Sequence, residues 1–263
     1  MHVASAALLA LSGGSAGGQS LVAHGAAQPP AHTVSAAPSP GRGHALVAGE
    51  RSRYELRLAG RAVGTGSLEL LGAEPVEGHP AMHAVLRVSG GILFARVDDR
   101  FDSWIDPERV FSRRFVQDQH ELTSRRHRDY TMSPERNSFV QADNGERTPL
   151  GSPEPLDDVS FLYYARTLPL RVGDVDTLSR YFKPGHDVIL RVLRRERITV
   201  PAGTFETIVV QPTITNVGGL FGQGGEAEVY FSDDAARTIV QLRSKVPLVG
   251  SLSLHLTDFR SGR

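Results

Sequence analysis

The sequence predicts a mainly β protein, built as a single curved antiparallel sheet or an open β-barrel of about 11–13 strands with one short helix packed into it. Three observations support this fold class. After residue 49, apolar and polar residues alternate with a period of two, which is typical of half-buried strands. Glycine and proline, 27 and 16 of the 263 residues, divide these runs into short segments. The alternation stops at residues 155–174, which turn apolar on every side.

Composition excludes several classes of protein. Lysine and arginine together number 29, as do aspartate and glutamate, so no net charge is available to gather a polyanion, which argues against nucleic-acid binding. Cysteine is absent, which removes disulfides, thiolate metal ligands and cysteine nucleophiles. No apolar run reaches the roughly 18 residues of a spanning helix, so we expect no transmembrane helix.

The chain is expected to begin with a leader that is separate from the folded domain. Residues 3–11 form an apolar run and residues 25–27 offer a small-x-small cleavage site, so residues 1–27 are interpreted as a signal peptide. The region before the run lacks lysine and arginine, and the alternative is an alanine-rich disordered tail. Residues 28–48 are predicted to be a disordered linker, and residues 49–260 a β-rich domain, which the family resemblance given below implies to be an envelope domain.

The first half of the domain shows the alternation most clearly. It predicts seven strands, over residues 50–58, 63–71, 82–88, 92–105, 111–119, 124–131 and 137–142. The fourth strand and the turn that ends it carry four aspartates, which permit a paired-carboxylate site but are also expected on a solvated face with the last one starting the turn: Asp98, Asp99, Asp102 and Asp106. His120 and His127 lack a third ligand, so no metal site is predicted.

The central stretch predicts the helix, over residues 159–167. Asp157 and Asp158 can cap its start, and Leu168-Pro169 forces its end. Apolar and aromatic side chains surround the helix axis, so we expect a buried plug with one internal Asp–Arg pair.

The same helix supplies the candidate ligand-binding residues, because aromatic rings give contact area and charges give orientation: Asp158, Tyr163, Tyr164 and Arg166. Ser160 is an alternative nucleophile, but no Gly-x-Ser-x-Gly elbow surrounds it and no histidine lies nearby in sequence. We therefore expect Ser160 to hydrogen-bond at the helix start.

The second half predicts six more strands, over residues 175–182, 186–200, 205–210, 226–231, 237–246 and 251–259. Between them, residues 216–225 form a glycine-rich loop without the Gly-Lys-Ser/Thr of a phosphate loop. Two large apolar residues, Leu220 and Phe221, lie at its centre. They either fold back on the core or form an apolar lip for a ligand, and they complete the candidate binding set.

Five segments in order resemble one known family: DDRFDSWID, PLDDVSFLYYARTLPLRVGD, RRERITVPAGTFETIVVQPT, EVYFSDD and SKVPLVGSLSLHL. They resemble the pattern of the bacterial envelope family called domain of unknown function 3108, over roughly residues 50–259. The resemblance implies a secreted or periplasmic β-rich protein of Gram-negative type. It brings no catalytic residue and no substrate.

Two functions remain open at this point. The first is a non-enzymatic periplasmic or secreted protein that holds an apolar or amphipathic ligand, lipid-like or glycan, or an envelope protein, in its concave face; this function needs no catalytic residue, cofactor or metal. The alternative is a hydrolase of envelope glycan, in which carboxylates supply acid and base with help from Tyr163 and Arg166: Asp102, Asp158 and Glu196.

Overall fold

The computed structural model describes residues 46–92, 95–121, 124–215, 226–246 and 250–262. The first half forms eight strands: β1 (Arg51–Leu58), β2 (Arg61–Ala73), β3 (Met82–Ile92), β4 (Ala95–Ile105), β5 (Ser112–Glu121), β6 (Ser124–Ser133), β7 (Ser138–Gln141) and β8 (Glu146–Pro149). A short 3-10 helix, Pro134–Arg136, joins β6 to β7, and one α-helix, α1 (Asp158–Arg166), follows β8. The second half forms β9 (Val175–Leu178), β10 (Val188–Val200), β11 (Gly203–Ile214), β12 (Glu226–Ser232), β13 (Ile239–Val246) and β14 (Gly250–Arg260).

All these strands belong to one antiparallel sheet of 14 strands. The spatial order is β8-β7-β6-β5-β4-β3-β2-β1-β14-β13-β12-β11-β10-β9, so each half is a meander and β1 pairs with β14 where the halves meet. The sheet is not closed into a barrel, since β8 and β9 are its two edges. The predicted fold class, a mainly β antiparallel sheet with one short helix, is confirmed.

One strand, β8, was not predicted from the sequence. β8 has four residues, of which three are exposed, and it ends at Pro149. It therefore shows no alternation, because neither face is buried. For this reason the sheet has 14 strands, one more than the upper end of the expected range.

The sheet curves around the helix. One continuous apolar cluster contains Tyr54 of β1, Phe139 of β7 and Leu190 of β10 together with Leu162 of α1. Strands β7 and β10 lie near opposite edges of the sheet. Their side chains can join one cluster only if the sheet bends so that its inner face encloses α1.

The segment between β8 and α1 links the two halves of the sheet. Its Gly151 amide donates to the carbonyl of Phe182 (2.9 Å), and its Leu156 carbonyl accepts from the amide of Phe182 (3.0 Å). On its other side, the Pro155 carbonyl accepts from the amide of Ser112 at the start of β5 (2.7 Å). The segment thus carries backbone hydrogen bonds across the space between the sheet edges.

The described residues test the prediction about a transmembrane helix but not the prediction of a signal peptide. Across the ranges given above, α1 is far too short to cross a bilayer, and no other helix qualifies. The predicted signal peptide, residues 1–27, lies outside the described residues, as does most of the predicted linker, residues 28–48.

Candidate functional site

Helix α1 begins with a capping box. One carboxylate oxygen of Asp157 accepts from the amides of Val159 and Ser160 (2.8 Å each), and the Ser160 hydroxyl accepts from the amide of Asp157 (2.8 Å). These bonds satisfy backbone donors that the first turn leaves without partners. The structural role predicted for Ser160 is confirmed, and the cap is Asp157 alone.

The second carboxylate oxygen of Asp157 fixes the helix to the sheet. It accepts hydrogen bonds from the hydroxyls of Ser103 in β4 (2.6 Å) and Ser112 in β5. Both serines are fully buried, as is Asp157. Burial raises the pKa of the Asp157 carboxyl, and the four hydrogen-bond donors act in the opposite direction, because each offsets part of the lost hydration of the carboxylate.

All nine residues of α1 are buried, each with a relative exposure of 8% or less. The helix therefore fills the concave face instead of lying beside an open channel, as the apolar residues around its axis predicted. Four candidate residues, Asp158, Tyr163, Tyr164 and Arg166, lie in this one element.

Asp158 is buried without a hydrogen-bond partner on either carboxylate oxygen among the described residues. Burial raises the pKa of its carboxyl to about 7, and the neighbouring charge of Asp157 acts in the same direction. The ammonium of Lys183 opposes both effects. Asp158 therefore takes up a proton near neutral pH instead of forming an ion pair.

Arg166 pairs with Glu50, not with an aspartate of the helix. Its two terminal nitrogens meet the two Glu50 oxygens at 2.6 and 3.0 Å, and one also donates to the carbonyl of Ala236 (2.9 Å). The expected internal Asp–Arg pair is wrong in its acidic partner, which precedes β1 and lies 116 residues away in sequence. The helix end is thereby attached to both halves of the chain.

The two candidate tyrosines present buried hydroxyls that have no partner among the described residues. The ring of Tyr164 lies 4.1 Å from the guanidinium carbon of Arg180, and that of Tyr163 lies 5.5 Å from the guanidinium of Arg166. Burial is the main reason that the pKa of Tyr163 is raised. Each hydroxyl offers one hydrogen-bond donor to a partner.

The remaining two candidate residues, Leu220 and Phe221, lie outside the described residues. Neither alternative for them, packing on the core or forming an apolar lip, is tested here.

The carboxylates of the hydrolase hypothesis do not meet in one cleft. Ser103 points inward to Asp157, so its strand neighbour Asp102 points to the outer face, away from Asp158. Although burial acts to raise it, hydrogen bonds from Arg100 and His83 lower the pKa of Asp102 to about 2. Glu196 lies in β10, and seven other strands separate β10 from β4 in the sheet order.

Sequence reasoning missed a cluster around His83 on the outer face. The two ring nitrogens of His83 contact Glu74 (2.9 Å) and Asp102 (2.7 Å), and the ring stacks on Trp104 with centroids 4.2 Å apart. The guanidinium of Arg114 covers the Trp104 ring at 4.7 Å. Because both imidazole nitrogens are occupied, His83 is not available as a base. The alternation within β3 and β4 places His83, Asp102 and Trp104 on the outer face. Their contact can be recognised only once the pairing of the two strands is known.

Within the part of the chain that the structure describes, no group of three or more histidine, aspartate or glutamate side chains is placed to hold a metal ion. The chemistry available on α1 is therefore hydrogen bonding by two phenols, one carboxyl and one guanidinium.

Comparisons with solved structures find matches at low sequence identity. A β-barrel-like protein of domain of unknown function DUF1849 from Brucella abortus is 11% identical, with 82% of this chain and 98% of that chain covered and a TM-score of 0.49. A candidate exported protein with a YmcC-like fold from Bacteroides fragilis is 11% identical (81% and 96% covered, TM-score 0.33). A candidate lipoprotein from Parabacteroides distasonis is 12% identical (83% and 98% covered, TM-score 0.32). These values are too low to transfer a function.

A search of the curated proteins finds no relative of this chain. The model of one family, a protein of unknown function named DUF3108, matches residues 53–257. That match spans most of the chain and every strand from β2 to β13, as the resemblance of the five sequence segments predicted. The chain belongs to the DUF3108 family.

Proposed function

We propose that this chain is a non-enzymatic binding protein of the bacterial envelope, periplasmic or secreted, that holds an apolar or amphipathic ligand against helix α1. The location rests on the apolar run at residues 3–11, which has the length of a signal sequence, and on the envelope family that the sequence resembles. The absence of a shared cleft for Asp102 and Asp158 removes the support for hydrolysis that the sequence offered.

The observation that carries the ligand proposal is a concentration of unpaired polar atoms on one buried helix. Asp158, Tyr163, Tyr164 and Arg166 each have at least one buried nitrogen or oxygen without a hydrogen-bond partner among the described residues. Most buried polar groups in native proteins are paired, because each unpaired group costs about 1–3 kcal/mol. A ligand with hydroxyl or carbonyl groups would supply the missing partners.

The surroundings of these atoms favour a ligand that is otherwise apolar. The inner face is lined by aliphatic and aromatic side chains from both halves of the sheet. In the described conformation the four side chains are covered. A ligand therefore reaches them by displacing contacts of α1, and the unpaired atoms lower the free energy that this displacement requires.

The test is native mass spectrometry of the protein purified from envelopes, followed by solvent extraction of the bound material. The key variant combines Tyr163→Phe and Tyr164→Phe, which removes two hydroxyls and keeps both rings. The matched control is Tyr230→Phe, whose hydroxyl donates to Glu228 on the outer face (2.6 Å).

We expect a small molecule with the wild-type protein and with the control, and reduced occupancy in the double variant. A wild-type protein that carries nothing, or a double variant that carries as much as wild type, would overturn the proposal. Thermal unfolding of each variant shows whether reduced occupancy reflects loss of the fold.

A further inference from the structure

A groove of about 570 Å³ lies on the outer face of the sheet, over β14 and β1 to β4. Tyr54 and Leu68 point into the core, so their strand neighbours Arg53 and Ser67 point outward into the groove. The volume falls within the range of about 300–1,000 Å³ that is usual for small-molecule sites. No residue of α1 lines this groove, so it is separate from the site proposed above.

The strand pairing arranges the outward side chains in two rows. In the first row, Arg53 of β1 lies opposite Ser67 of β2, and Ser67 lies opposite Arg87 of β3. Because neighbouring strands are about 4.8 Å apart, the two arginines stand about 10 Å apart with a hydroxyl between them. Two guanidinium groups thus flank one hydrogen-bonding position.

The second row begins two residues along each strand. Glu55 lies opposite Thr65, Thr65 opposite Ser89, and Ser89 opposite Asp98. This row places carboxylates at both ends and two hydroxyls in the middle. The second row lies about 7 Å from the first along the strands. The two rows together therefore present hydrogen-bond donors and acceptors over an area a few strands wide.

Five charged residues line the groove; Arg51 and Glu55 are paired, and three are not. Glu55 accepts a hydrogen bond from Arg57, outside the groove. In contrast, within the described ranges Arg53, Arg87 and Asp98 have no ion-pair partner within 4.0 Å. Two guanidinium forks are therefore free to bind a carboxylate with paired hydrogen bonds.

The floor of the groove is backbone, because β2 and β3 approach very closely here. A Cβ atom on Gly64 would lie 2.1 Å from the carbonyl oxygen of Ser89, and one on Gly90 would lie 2.7 Å from that of Val63. These positions admit glycine only. At these two positions the chain therefore contributes backbone and no side chain to the groove.

We propose that this groove binds an acidic sugar, a hydroxyl-rich ring that carries a carboxylate. The carboxylate meets Arg53 and Arg87, while ring hydroxyls donate to Asp98 and exchange hydrogen bonds with Thr65 and Ser89. A polyphosphate or nucleic acid fits less well, because it has few or no hydroxyls to donate to the two carboxylates of the second row, which would then repel its phosphates.

The experiment is isothermal titration calorimetry of the full chain with trigalacturonate, with uncharged maltotriose of similar size, and with inorganic phosphate. The variants are Arg53→Gln and Arg87→Gln, which keep hydrogen-bonding capacity and remove the charge. Arg171→Gln is the matched control, an exposed arginine outside the groove. Thermal unfolding of every variant confirms an intact fold.

We expect trigalacturonate to bind, and each groove variant to weaken binding at least about tenfold, as the loss of a charge-assisted hydrogen bond implies. The Arg171 variant should bind like wild type, and maltotriose should bind much more weakly. The proposal is overturned by absence of trigalacturonate binding, by equal binding in the groove variants, or by equal binding of maltotriose. Phosphate binding as tight as that of trigalacturonate would overturn the assignment to a sugar.

Discussion

Replacement of Asp158 by asparagine should make the protein more stable at alkaline pH and leave its stability unchanged in acid. Asparagine has nearly the shape of the protonated carboxyl but cannot ionise. Asp158 has no hydrogen-bond partner among the described residues, so the substitution breaks no bond there. The variant therefore isolates the free-energy cost of one buried negative charge.

The sign and size follow from the pKa of Asp158. Its ordinary value is 3.8, and burial raises it to about 7 in the folded protein. Between these values the folded state holds a proton that the unfolded chain has lost, so stability falls as pH rises through this window. The fall is about 1.4 kcal/mol per pH unit and about 4 kcal/mol in total, and it is complete above pH 7.

The assay is urea unfolding of wild type and Asp158→Asn at half-unit steps from pH 4 to pH 8.5. When the free energy of unfolding of the variant is subtracted from that of wild type, the contributions of groups that titrate equally in the two proteins cancel. Asp176→Asn, on the exposed strand β9, is the control for loss of a surface carboxylate. Lys183→Met should extend the fall to higher pH, because it removes the charge that opposes the raised pKa of Asp158.

A difference that stays constant from pH 4 to pH 8.5 would refute the reasoning, since it would mean that Asp158 titrates alike in both states. A variant less stable than wild type at pH 8 would refute it as well. That result would show that the ionised carboxylate has partners which asparagine cannot replace.

Three further predictions test the attachments of the helix and the sheet. Asp157→Ala should lower the free energy of unfolding by about 2 kcal/mol in urea titrations, since it removes the cap, whereas Asp157→Asn should lose less. Glu50→Gln should cost about 3–5 kcal/mol because it leaves the Arg166 guanidinium buried without a counter-charge, and adding Arg166→Met should restore most of the loss. Gly64→Ala should lower the melting temperature more than Gly66→Ala, because its Cβ meets backbone at 2.1 Å while that of Gly66 meets a Leu254 methyl at 2.8 Å. An equal effect of the two alanine variants would contradict the close approach of β2 and β3.

The strands were predictable because a sheet with one dry face requires alternation. Thirteen of the 14 strands fall on segments that were predicted, and β8 does not, since it has only four residues and most of them are exposed. The helix was predictable because Asp157 supplies a cap and Pro169 forbids extension. The pairing of β1 with β14 was not predictable, because no local signal reports a contact between residues about 200 apart.

The candidate site also combines features that the sequence predicts with features that it does not. Burial of Tyr163 and Tyr164 follows from apolar residues on all sides of the helix. The partner of Arg166 does not follow, since Glu50 reaches it only after the sheet has curled around α1. The groove was missed for a similar reason: Arg53 and Arg87 face one another across Ser67 only once the register of three strands is known.

The two faces of the sheet call for different kinds of experiment. Side chains on the inner face, such as Asp158 and Arg166, hold the helix in place, so their substitution changes stability and binding together. Arg53 and Arg87 lie on the outer face, are exposed and have no ion pair among the described residues. Their substitution should leave the fold intact. A loss of binding in these two variants therefore reports on recognition itself, which makes the outer groove the first place to look for a ligand.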